Sequence, residues 1–83
     1  MTKVTLDVPD DMLAALKLTP ERFPDEVRLA AAVKLLELRR LSAGAAARLA
    51  GLPVPVLLAK LADYGVAAFR MSEAEIRDDA QRA

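Results

Sequence analysis

The strongest constraint on the fold is a helix that is apolar on two sides in a chain of only 83 residues. Thr19-Pro20-Glu21 reads as its start, with Thr19 as N-cap and Pro20 at the first helical position. Pro24 bends or restarts it, and the apolar spacing carries it to about Leu41. At about 100° per residue, Val27, Ala31, Leu35 and Leu38 fall on one face, and Leu29, Val33 and Leu36 on nearly the opposite one. Both faces need cover. So short a chain has few elements to supply it, and a second copy is the simplest source, so a homodimer is expected.

Ahead of this helix, residues 3–8 alternate. Val4, Leu6 and Val8 point one way, and Lys3, Thr5 and Asp7 the other, the period-two signature of a half-buried strand. Pro9 ends it, and Asp10 and Asp11 favour a short helix over 12–18, with carboxylates near its positive end. A lone strand leaves backbone groups unpaired and needs a partner.

Behind the two-faced helix, Ser42 is placed to cap a helix from Ala43 to Ala50 that Gly51 stops. Pro53 and Pro55 fit only the first turn of the next helix, which ends before Gly65. Residues 66–70 suit a short second strand, and Ser72-Glu73-Ala74-Glu75 is a capping box that opens a last helix. The expected fold is therefore mainly α: a short N-terminal strand, then a helical bundle containing a helix-turn-helix-like hairpin. Residues 1–83 form one domain, with a dimerisation part (1–41), the hairpin (42–65) and a C-terminal strand and helix (66–83).

Composition narrows the chemistry. With no Cys and no His, the chain offers no disulfide, thiol nucleophile, imidazole base or usual zinc ligand set. No Gly-rich phosphate loop is present. The reading is a non-enzyme with no cofactor, no metal and no small-molecule substrate. Twelve basic and twelve acidic residues cancel, so any grip on nucleic acid must be local. No apolar run reaches the roughly 20 residues of a membrane span, and the N-terminus has no signal-peptide core, so a cytoplasmic location without membrane contact is expected.

Three constellations bear on function. The outer face of the strand offers Lys3 and Thr5 to DNA. Its other readings are a strand that only dimerises, or one that pairs within the chain near Val66–Phe69. Ala47, Gly51, Leu52 and then Leu57 or Leu58 have helix-turn-helix spacing: a small residue for close crossing, a glycine for the turn, apolar anchors beyond. Either this is a packed hairpin, or it touches phosphates through Arg39, Arg40, Arg48 and Lys60. The second helix has few base-reading side chains, and the chain has no Asn. The third is the acidic C-terminal helix. It is either a solvated face or a surface for a basic partner, with Phe69, Met71, Glu73, Glu75, Ile76 and Asp79 as the contacting residues.

The strand followed by helices resembles the start of ribbon-helix-helix regulators. More broadly, Val4-Thr5-Leu6-Asp7-Val8-Pro9-Asp10-Asp11, Glu26-Val27-Arg28-Leu29-Ala30, Leu41-Ser42-Ala43-Gly44-Ala45-Ala46-Ala47 with Leu49-Ala50-Gly51, and Tyr64-Gly65-Val66 before an acidic helix carry a resemblance over nearly the whole chain. Together they resemble a family of small uncharacterised prokaryotic proteins, UPF0175, often labelled antitoxins. The resemblance implies a regulator with a helix-turn-helix-like middle that partners a PIN-like nuclease toxin. Where that family has polar or aromatic residues after the glycine turn, this chain has Leu52-Pro53-Val54-Pro55-Val56. The expected function is an antitoxin-like, DNA-binding transcriptional regulator, sitting on operator DNA and neutralising a nuclease-type toxin. The alternative is a protein-interaction or dimerisation module without DNA binding.

Overall fold

The structure, a computed structural model, describes residues 2–66. Four helices follow one another: α1 (Asp10–Leu16), α2 (Phe23–Glu37), α3 (Ala43–Ala50) and α4 (Val54–Lys60), the last running on into a 3-10 turn, Leu61–Tyr64.

Each boundary has a local cause. The Ser42 side chain accepts a hydrogen bond from the Ala45 N–H at 3.1 Å, satisfying one of the orphan donors at the start of α3. Gly51 ends α3 in the left-handed region at φ +72°; its N–H donates to the Arg48 carbonyl and that of Leu52 to the Ala47 carbonyl, a Schellman closure. Pro53 stands at the N-cap of α4 and Pro55 in its first turn, where a missing N–H leaves no helical bond unmade. Gly65, at φ +70°, closes the 3-10 turn in the same way.

Two helices end without glycine. Lys17 (φ +58°) terminates α1 and Arg39 (φ +61°) follows α2, each in the left-handed region. In α2 the closing bonds run from the Arg39 N–H to the Leu36 carbonyl and from the Arg40 N–H to the Leu35 carbonyl. The two-faced helix therefore stops at Glu37 instead of about Leu41. It also begins later than Thr19 suggests. The Thr19 carbonyl takes the N–H groups of Arg22 and Phe23, forming a separate turn. Pro24, in the first turn of α2, has no N–H to extend the ladder back towards Pro20.

The core is built from α2, α3, α4 and the 3-10 turn. Ala32, Val33 and Leu36 of α2 meet Ala43, Ala46 and Ala47 of α3, with Leu57 and Leu61 fully enclosed beside them. Leu29, Leu41, Leu49 and Leu58 pack around this set half-buried. The most extensive packing is of α2 on α3. The buried residues of α3 are three alanines and Gly44, and their lack of bulk lets α2 lie close. Of the two apolar faces of α2, the Leu29–Val33–Leu36 face is the core face. On the other, Val27, Ala31 and Leu35 are half-buried and Leu38 is 54% exposed.

The expected N-terminal strand does not form. A strand exists through ladder hydrogen bonds, and among the described residues the backbone of residues 2–8 has no partner. The segment keeps only the alternation: Thr2, Val4, Leu6 and Val8 all turn towards α2, as an arm and not as part of a sheet. Regular structure among the described residues is thus wholly helical, with no β-structure. Of the expected second strand, Val66 is in no strand and residues 67–70 lie outside the described residues, as does the C-terminal helix. The short first helix spans Asp10–Leu16 instead of 12–18, because Pro9 takes the N-cap place and Lys17 reverses the chain.

Candidate nucleic-acid interface and apolar groove

Helix α3 and the segment Val54–Tyr64 meet at 88° across the connection Gly51-Leu52-Pro53. A near-right-angle pair joined by a short glycine-containing turn is an arrangement that helix-turn-helix motifs share with other packed helical hairpins. Its anchors are where the spacing suggests: Ala47 and Leu57 are buried, and Leu52 and Leu58 half-buried.

The outward side of α4 is apolar. Pro55 and Ala59 are exposed, and Val56 is 40% exposed. None of these can hydrogen-bond a base edge. The cations are distributed around the hairpin. Arg39 and Arg40 lie exposed in the turn before α3, Arg48 lies exposed in its last turn, and Lys60 is half-buried at the end of α4. Eight residues of helix separate the first pair from the far end of α3, about 12 Å along the axis. Lys3 and Thr5 are exposed on the arm. The arm lies against the Phe23–Arg28 end of α2, whereas Arg39 and Arg40 follow its other end, about 20 Å away along the axis. The six candidate cationic and polar residues are therefore spread over the molecule instead of forming one patch. Phe69, Met71, Glu73, Glu75, Ile76 and Asp79 lie outside the described residues.

Between the arm and the first half of α2 lies a feature whose two walls are visible in the sequence but whose juxtaposition only the fold supplies. An open cavity of ≈ 510 Å³ is lined by the inward side chains of the arm, by Phe23, Pro24 and Val27 of α2, and by Leu49 of α3. Its charged member is Arg28. The Arg28 Nε donates to the Leu49 carbonyl at 2.7 Å, so the guanidinium fastens α2 to the C-terminal end of α3. Among the described residues Arg28 makes no ion pair; the ion pair there is Lys34–Glu37 at 2.9 Å, within α2. The sequence signal for the cavity is the spacing itself: the arm's alternation and the outer face of α2 are two apolar surfaces that face each other.

Among the described residues one titratable group is perturbed. Tyr64, at the end of the 3-10 turn, has its pKa raised above 10, first by burial and then by the carboxylates of Glu26 and Asp63. Among the described residues no three Asp, Glu, Cys or His side chains gather as a metal site, and no single helix is long and apolar enough to cross a membrane.

The model of an uncharacterised protein family, UPF0175, matches residues 1–83, so the chain belongs to that family. No curated protein and no solved structure matches it.

Proposed function

Taking the chain as a UPF0175 member, we propose that it is an antitoxin-type DNA-binding regulator that works as a homodimer. The observation that carries this reading is the 88° pair α3–α4 across its three-residue glycine turn. The side chains of that pair decide the mode of contact. With Pro55, Val56 and Ala59 outward on α4, Lys60 at its end is the one side chain of the helix able to hydrogen-bond a base edge. The contacts are to phosphates, through Arg39 and Arg40 before α3 and Arg48 at its end, with Lys60 in support. Such binding is weakly sequence-selective and strongly salt-dependent. Neutralisation of a PIN-like nuclease toxin belongs to the same reading; its support is the family resemblance and the acidic composition of residues 73–79.

The apolar outer side of α4 also favours a second reading: a protein-interaction module with no DNA affinity. Titration of short duplexes of unrelated sequence, at low and then at moderate salt, separates the two. The regulator reading expects binding that weakens steeply with salt and differs little between sequences. Arg40→Ala with Arg48→Ala then flattens the logarithmic salt slope by roughly one unit per lost phosphate contact. Absence of binding to any duplex at low salt overturns the regulator reading in favour of the interaction module.

A further inference from the structure

We propose that the groove between the N-terminal arm and α2 is filled by helix α1 of a second copy, and that the exchange is reciprocal. The inference rests on the dimeric state proposed above but not on DNA binding.

Helix α1 is formed yet buries none of its own residues among the rest of the chain. Met12 and Leu16, one turn apart on one side, are 54% and 58% exposed. Apolar anchors at i and i+4 are the pattern by which a short amphipathic helix seats itself in a groove. The chain carries such a groove, ≈ 510 Å³, with apolar walls that include Phe23, Val27 and Leu49. Val4 and Leu6, on its arm side, remain 77% and 64% exposed. Among the described residues Met12 and Leu16 of the helix and the arm side of the groove are both left uncovered, and each has the shape class the other needs.

Charge selects the occupant. Among the described residues the groove's one ionic member is Arg28, held in place by its Nε bond to the Leu49 carbonyl, with the outer nitrogens of the fork still able to take a carboxylate. The polar side of α1 opens with Asp10 and Asp11 and has no base in its last turn. Apolar anchors beside two carboxylates fit an apolar groove with one guanidinium. Because one chain carries both halves, two copies related by a two-fold axis satisfy both grooves at once, which is an isologous interface. A formal net charge of +0 adds no overall repulsion between copies.

Light scattering on the full chain across a dilution series tests this, and the expected species has twice the chain mass. Met12→Ser with Leu16→Ser should raise the dimer's dissociation constant by about a hundredfold or more. Far-UV circular dichroism should lose no more than the signal of the seven residues of α1, and at dilutions where both proteins are monomeric their melting temperatures should agree, since neither side chain is in the core. Asp10→Lys with Asp11→Lys weakens the dimer, and so does Arg28→Glu. An equimolar mixture of these two proteins regains a dimer containing one of each. In it the new ammonium groups of one copy face the new carboxylate of the other, and the remaining groove keeps its original pairing of Arg28 with Asp10 and Asp11. A wild-type chain that stays monomeric at every concentration overturns the proposal. A dimer indifferent to the α1 substitutions also overturns it, while leaving the dimeric reading standing. A mixture that recovers nothing removes the Arg28–carboxylate contact on which the choice of occupant rests, and overturns it too. Duplex titration is a separate readout, so failure of the regulator reading is not confused with any of these results.

Discussion

Gly51 acts through backbone conformation alone. It sits at φ +72°, and a Cβ built there meets nothing within 4 Å. Any loss on substitution therefore reports strain of the left-handed region and not a clash. Gly51→Ala should lower unfolding stability by about 1 kcal/mol, and Gly51→Asn by less, because asparagine tolerates that region. Chemical denaturation of the three proteins checks the order; an alanine variant as stable as wild type would show that α3 does not need its closing turn. A different residue-scale effect lies at Tyr64, the one tyrosine of the chain. Burial, and then Glu26 and Asp63, disfavour its phenolate, so its folded pKa lies above 10. A group whose pKa rises on folding contributes stability that is complete below its unfolded value and lost as the pH climbs through the folded one. The alkaline limb, from about pH 10 upwards, is where this contribution disappears. Absorbance titration of the phenol should give a midpoint above that of the denatured chain. Glu26→Gln should narrow the gap without closing it, since burial is the larger cause.

At the scale of the element, α3 is the piece whose sequence and structure agree most closely. Ser42 caps it, Gly51 closes it, and its bounds fall where those two residues put them. Its alanines set the distance to α2. Ala46 is 0% exposed, so Ala46→Leu should force the two helices apart, and overpacking of this kind loses about 1–3 kcal/mol. Ala45→Leu, half-buried one position earlier, should lose less; equal losses would mean that the α2–α3 contact is not the tight one. The proline-started α4, the Gly65 stop and the anchors Ala47 and Leu57 are legible for a similar reason: each depends on a side chain or a φ that the sequence names directly. The ends of α2 are not. Its stop uses Arg39 in a conformation that favours glycine, and no residue type announces that. The strand fails for another reason. Alternation specifies which way side chains point, and Val4, Leu6 and Val8 do share a side, but a ladder also needs a neighbouring backbone, which no pattern within residues 3–8 can supply. The groove is half legible, since both apolar surfaces are visible in the sequence and only their juxtaposition requires the fold. The proposed phosphate contacts are legible as residues and not as a patch, because the fold puts Arg40 and Arg48 at opposite ends of α3.

Across the whole molecule, burial is uneven enough to divide it into two parts of different stability. Among the described residues every core residue lies between Ala32 and Leu61, and α1 contributes none. A seven-residue helix is too short to persist on its own propensity, so in a lone copy α1 opens without breaking the core. Its opening free energy lies near the low end of the native range, whereas that of Val33 and Leu36 approaches the global value. Hydrogen exchange should therefore show amides from Leu13 to Leu18 exchanging at least about a hundredfold faster than those of Val33, Leu36 and Ala47 in dilute solution, where a single chain dominates. Raising the protein concentration changes one part only. If α1 seats in a second copy, its amides gain protection as the dimer fills, while core amides, already limited by global unfolding, gain no more than the dimer adds to the whole. Protection of α1 that is high at every concentration would mean that the helix is held within its own chain, and the reciprocal groove would lose its occupant. Protection that rises with concentration and collapses in the Met12→Ser, Leu16→Ser protein would assign the gain to those two side chains.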